Sequence, residues 1–148
     1  MAYSNAVSTY KETRVKTASQ GQLIVMLYEE AIKNLDRGLD LLSLNVDGKL
    51  ITANIEKISN SILKTQEIIT ELIVSLDFER GGEIAKTLFA LYTWFNKELL
   101  EASIAHDGHR ISSVRNQLNE LKSAWVEVSA KTGSEADGKA VTGINIAG

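Results

Sequence analysis

The chain has 148 residues, 44% hydrophobic and 24% charged, which suits one soluble globular domain of ordinary size. Sixteen Lys and Arg against 19 Asp and Glu leave a net charge of −3, so no strong positive field invites nucleic acid. The lack of cysteine excludes a disulfide framework, a thiolate zinc site and a cysteine nucleophile, and the lack of proline points to long uninterrupted helices.

Residues 1–18 are polar, yet Tyr3, Val7 and Tyr10 fall at i, i+4 and i+7 and would share one small apolar face in a helix. The segment has neither the basic start nor the apolar stretch of a signal peptide, which makes a cytoplasmic location the expectation. No apolar run approaches the roughly 18–20 residues that a membrane span needs, so no stable membrane insertion is expected.

The first helical pattern covers about residues 20–44. Ile24, Leu27, Ala31, Leu35 and Leu42 lie on one face, widened by Met26, Tyr28, Ile32 and Leu39. Ser19 with Gln22 reads as a capping box, and Asn45-Val46-Asp47-Gly48 supplies turn chemistry. The second pattern covers about residues 49–75, with Ile51, Ile55, Ile58, Ile62, Thr65, Ile69, Leu72 and Leu76 in steps of three and four. A helix of that length spans about 40 Å, which fits a bundle and exceeds a compact α/β domain. Isoleucine is a moderate helix former, so packing must hold this helix together.

Asp77-Phe78-Glu79-Arg80-Gly81-Gly82 interrupts the pattern before a third helix over about residues 83–105. Its expected seam is Ile84, Leu88, Leu91, Phe95 and Ala102; a second stripe carries Ala85, Phe89, Tyr92 and Leu100. His106-Asp107-Gly108-His109 forms the next turn. The fourth helix, about residues 110–130, carries Ile111, Val114, Leu118, Leu121, Trp125 and Val128. Residues 131–148 hold four of the ten glycines and no aromatic residue, and are expected to be disordered because they bury too little surface by themselves.

Short turns between long helices make neighbours antiparallel. The expected fold is all-α: an antiparallel up-down-up-down four-helix bundle over residues 19–130, a flexible arm over 1–18 and a disordered tail over 131–148. Such a bundle can house a di-iron site, but that requires Glu-x-x-His pairs and inward carboxylates. Here Ser103 precedes His106, His106 precedes His109, and the seams lack Asp and Glu. A solvated turn explains the two histidines, with His106 favoured by the helix dipole. Glu29-Glu30 and Glu79-Arg80 read as solvated charge, and Gly81-Gly82 lacks phosphate-loop spacing. No serine has a nucleophile motif. No enzyme, cofactor or metal is expected.

The remaining signal is apolar excess. Tyr28, Ile68, Ile73, Phe89, Tyr92 and Leu100 lie off the simplest seams. Either wider faces bury them, or they line a groove for a partner helix, with the Tyr3-Val7-Tyr10 face as a removable cover.

Three blocks are similar to one family. The first is Tyr10, then Val15-Lys16-Thr17-Ala18-Ser19-Gln20 and Leu23-Ile24-Val25-Met26-Leu27-Tyr28-Glu29-Glu30-Ala31-Ile32. The second is Glu71-Leu72, Ser75-Leu76-Asp77, Gly81-Gly82-Glu83-Ile84-Ala85, Leu88 and Leu91-Tyr92; the third is Leu118, Leu121 and Ala124-Trp125. Together, over about residues 3–128, they resemble the flagellin-specific export chaperones of the FliS family. Gln20 stands where the family usually has proline, Glu29-Glu30 where it has Asp-Gly, and Thr87 where asparagine is common.

The resemblance implies a helical bundle that binds the C-terminal segment of flagellin, blocks premature polymerisation and delivers the subunit to the flagellar export gate. It implies an N-terminal arm that can occupy the binding surface before the client. The expected partner-binding residues are Tyr10, Ile24, Tyr28, Ile68, Phe89, Tyr92 and Trp125. A co-chaperone is a further candidate partner, and monomer and dimer are both open. The alternative function is a non-catalytic homodimeric helical adaptor that buries its excess apolar stripe in its own dimer.

Overall fold

The computed structural model describes residues 20–135, with side chains described to residue 130. Four helices and one short hairpin follow in order: α1 (Gln20–Ser43), β1 (Asn45–Val46), β2 (Lys49–Leu50), α2 (Thr52–Val74), α3 (Phe78–Ala105) and α4 (Gly108–Glu135). Helix α1 packs on α2 and α4, and α3 closes the square against the same two. Gly21 meets Ser129, Trp125 bonds Tyr28, and Arg115 pairs with Asp36. Their numbers run in opposite directions, so α1 and α4 are antiparallel. The expected all-α bundle is the observed fold.

The ends differ in detail for local reasons. Asp47 and Gly48 both take positive φ, the geometry of a two-residue hairpin turn, and pair Asn45 with Leu50 and Val46 with Lys49. Helix α2 therefore starts only at Thr52. Helix α3 starts earlier than expected because the Asp77 carboxylate accepts from the backbone N–H of Glu79 (3.0 Å) and Arg80 (3.1 Å). Asp107 caps α4 in the same way, accepting from His109 and Arg110. Helix α3 is broken at Gly82, with φ 50° and ψ −123°, a conformation that essentially only glycine adopts. A Cβ there would meet nothing within 4 Å, so the backbone and not the space requires glycine. Helix α4 continues to Glu135, past the expected end at residue 130. Ser19 of the expected capping box, the arm and the tail beyond 135 lie outside the described residues.

The core follows the three-four spacing of α1, α2 and α4. Ile24, Leu35, Ile58, Ile69, Leu72, Ile111 and Leu118 are buried, and Thr65 is buried with its hydroxyl donating to the Ser61 carbonyl at 3.0 Å. At Gly21 a Cβ would run into the Ser129 side chain, so glycine permits α1 and α4 to touch. Helix α3 departs from expectation. Its buried seam is Ala85, Leu88, Tyr92, Phe95, Leu99 and Ala102, also in strict three-four steps. Ile84, placed on the seam by the sequence reading, is half exposed, and Leu99 takes a core position that the reading did not assign.

Candidate apolar binding surface

Twelve large apolar side chains stand exposed among the described residues, and six of them sit on α3: Phe78, Ile84, Phe89, Trp94, Leu100 and Ile104. Helical geometry divides most of them into two shoulders beside the buried seam. Phe89, Leu100 and Ile104 follow i, i+11 and i+15 towards α2. On that side the Gln66 side-chain amide donates to the Asn96 carbonyl at 3.0 Å, fixing the register of α2 against α3. That register sets exposed Leu63 of α2 level with Leu99 and Leu100. Phe78 meets Phe89 edge-on, centroids 5.9 Å apart and planes at 69°, although both rings are about half exposed. The opposite shoulder, towards α4, carries Ile84, partly buried Leu91 and Trp94.

Behind this surface lies a polar cluster inside the core. The Tyr28 and Tyr92 hydroxyls are 2.5 Å apart, and Trp125 Nε1–H donates to the Tyr28 hydroxyl at 3.2 Å. Each group belongs to a different helix, so the cluster joins α1, α3 and α4. Burial pushes the Tyr28 phenol up to about 12, partly offset by its bonds to Tyr92 and Trp125. Burial raises Tyr92 further, and Tyr28 adds to the shift. Both rings are therefore neutral donors and acceptors at any ordinary pH.

The seven residues expected to bind a partner separate sharply. Ile24, Tyr28, Ile68, Tyr92 and Trp125 are buried, so an open-surface role does not describe their placement here. The reason is that each helix buries a stripe wider than one seam, and Tyr28, Tyr92 and Trp125 satisfy one another's polar tips. Phe89 is 44% exposed and lies on the apolar shoulder. Tyr10 lies outside the described residues. Among the other residues singled out as excess, Leu100 is exposed and Ile73 is partly buried. Sequence reasoning missed Trp94, Ile104 and Leu63. Trp94 and Ile104 share no three-four partner on the core seam, which is the signal that could have found them.

Two arginines of α4 form ion pairs with carboxylates. Arg110 bonds Glu101 and lies near Glu98 (3.8 Å) and Asp107 (3.5 Å). The hydrogen bond to Glu101, then the Glu98 charge, raises its pKa. The pair of Arg115 with Asp36, at 2.9 and 3.4 Å, ties α4 to α1. Among the described residues, no group of three or more His, Cys, Asp or Glu could hold a metal ion. No described helix is long and apolar enough to cross a membrane.

The sequence matches the model of a family described as Flagellar protein FliS over residues 3–132. It is 34% identical over 120 residues to the Flagellar secretion chaperone FliS of Salmonella typhimurium, covering 81% of this chain and 84% of that protein. It is 33% identical over 125 residues to the protein of the same name from Campylobacter jejuni, covering 83% and 90%. To that of Bacillus subtilis it is 26% identical over 125 residues, covering 84% and 86%.

Proposed function

The chain belongs to the FliS family of flagellar secretion chaperones, and from that premise we propose that it binds the C-terminal segment of flagellin in the cytoplasm. Covering that segment blocks premature polymerisation and holds the subunit fit for delivery to the export gate. The protein acts by binding and not by catalysis. One observation carries the reading: α3 completes a packed core with one face and leaves six large apolar side chains exposed. Scattered apolar residues are ordinary on a monomer, but their concentration on one helix marks an interaction surface.

Direct contact falls to Phe89 with its neighbours Phe78 and Leu100, and to Tyr10 of the arm. Ile24, Tyr28, Ile68, Tyr92 and Trp125 act from beneath by fixing how α3 sits. A client that is unstructured when free loses energy to ordering, so it can cover a large surface and still be handed on. Calorimetry with intact flagellin and with flagellin lacking its C-terminal segment tests the reading. Binding to the intact protein alone supports it. Equal binding to both, or a chaperone dimer on light scattering that flagellin does not dissociate, overturns it.

A further inference from the structure

The apolar shoulder of α3 that faces α2 has a charged border of one sign. Between residues 84 and 97, α3 carries two charged residues, Lys86 and Lys97, and both are exposed. Lys86 precedes Phe89 by three places and Lys97 precedes Leu100 by three, so each lysine is the surface neighbour of a shoulder side chain. The two lysines, like Phe89 and Leu100, stand three turns apart, about 16 Å along the helix. An apolar row and a basic row therefore run side by side.

The lysines are also available. Lys97 has no carboxylate partner among the described residues, and Lys86 meets only Glu83, at 3.4 Å, with both side chains largely in water. Such an exposed pair contributes little. Arg110 and Arg115, by contrast, are tied to carboxylates of the bundle. Residues 20–130 carry 16 Asp and Glu against 11 Lys and Arg, so this basic border stands on an acidic molecule.

We infer that the shoulder takes an amphipathic helix whose apolar stripe is bordered by Asp or Glu, with carboxylates about three turns apart facing Lys86 and Lys97. The inference rests on the reading that this shoulder holds the flagellin segment, and it states what that segment presents there. Phe89 to Ile104 spans about 22 Å, the length of four helical turns, and a partner helix lays its own apolar stripe along such a row. An isologous second copy offers the same patch, with lysine where carboxylate is needed. An anionic membrane surface gains two lysines and repels the acidic remainder of the bundle.

Stopped-flow association with intact flagellin tests this in three full-length chains. They are the wild type, Lys86→Glu with Lys97→Glu, and Lys33→Glu with Lys57→Glu, which alters exposed lysines of α1 and α2 and makes the same change in net charge. Thermal melts check that all three fold. The shoulder variant should associate about tenfold more slowly at about 0.01 M salt, with the gap closing at about 1 M as screening shortens, and the control pair should stay close to wild type. Equal slowing in both variants assigns the effect to net charge. Unchanged or faster association of the shoulder variant denies an acidic border on the client. Each of these results overturns the inference while flagellin binding still stands. A wild-type chain that does not bind flagellin overturns the reading and the inference with it. Wild-type binding to vesicles of anionic phospholipid that the shoulder variant loses assigns the lysines to a membrane and overturns the inference too.

Discussion

Tyr28 of α1 and Tyr92 of α3 share a buried hydroxyl pair, 2.5 Å apart, and Tyr28 alone also receives the Trp125 indole N–H. The two tyrosines are therefore not equivalent. Tyr28→Phe strands both the Tyr92 hydroxyl and the Trp125 N–H, while Tyr92→Phe leaves the Trp125 bond intact. An unsatisfied buried donor or acceptor costs about 1–3 kcal/mol. Urea unfolding should show Tyr28→Phe as the more damaging change, by about 1 kcal/mol or more. Equal losses would mean that the indole bond contributes nothing.

The same pair sets a limit on alkaline stability. An unfolded tyrosine titrates near 10.0, and folding raises Tyr28 to about 12. The raised pKa means that the folded state favours the protonated phenol. Its contribution is fully present below pH 10 and is lost as pH rises towards 12. At 1.36 kcal/mol per unit, the loss from Tyr28 is roughly 2–3 kcal/mol. Phenolate absorbance of Tyr28 and Tyr92 should therefore appear together with loss of helical circular dichroism. Ionisation of both in a fully helical protein would contradict the buried placement.

The contrast between helices explains what could be read from residue order alone. On α2, most of the outer face is polar, so Ile58, Ile62, Ile69 and Leu72 reveal their inward direction, although Leu63 and Val74 stand exposed beside that seam. On α3, Ile84, Phe89, Leu91, Trp94 and Leu100 fill much of the helix circumference. The seam is hidden because Ala85 and Ala102, two of its members, are small, whereas exposed Phe89 and Trp94 are large. Hydrophobicity could mark α3 as unusual but could not set its phase. Partnership between Tyr28 and Tyr92, 64 residues apart, depends on the fold and leaves no local pattern. Asp77 and Asp107 were legible in principle, since each sits directly before a helix, but Gly81-Gly82 masked the first start.

Gly82 and Gly81 make a matched comparison. Gly82 holds φ 50°, ψ −123°, whereas the Gly81 N–H makes a helical bond to the Asp77 carbonyl at 2.8 Å. Gly82→Ala forces a side chain into a conformation that costs about 1–3 kcal/mol, while Gly81→Ala is neutral or slightly stabilising. Thermal melts should separate the two variants. Identical melting temperatures would remove the case for a required break in α3.

Asp77→Ala and Asp107→Ala each remove a carboxylate that accepts from two backbone N–H groups. Each should cost about 1 kcal/mol, with Asn retaining most of the stability in its place. The two sites share no partner, so the double variant should lose the sum. Chemical denaturation of the four proteins checks this. A double variant much worse than the sum would show that the two helix starts are coupled.

Phe89 and Leu88 are adjacent in sequence and opposite in consequence. Leu88 is buried in the seam, and Phe89 is 44% exposed beside Phe78. Leu88→Ser places a hydroxyl in the core and leaves a cavity, at a cost of about 2–5 kcal/mol. Phe89→Ser loses mainly the edge-on contact with Phe78, about 0.5–1.5 kcal/mol. Binding should follow the reverse order among folded proteins. A central aromatic contact is worth about 1–2 kcal/mol or more, so Phe89→Ser should weaken flagellin binding about tenfold. Leu100→Ser on the same shoulder should act in the same direction while leaving the fold nearly intact. Calorimetry at a temperature where every variant is folded measures this, with melts run alongside. Undiminished affinity in both Phe89→Ser and Leu100→Ser would place the client on another face. Lost affinity that merely tracks lost stability would mean that the shoulder acts through the fold and not through contact.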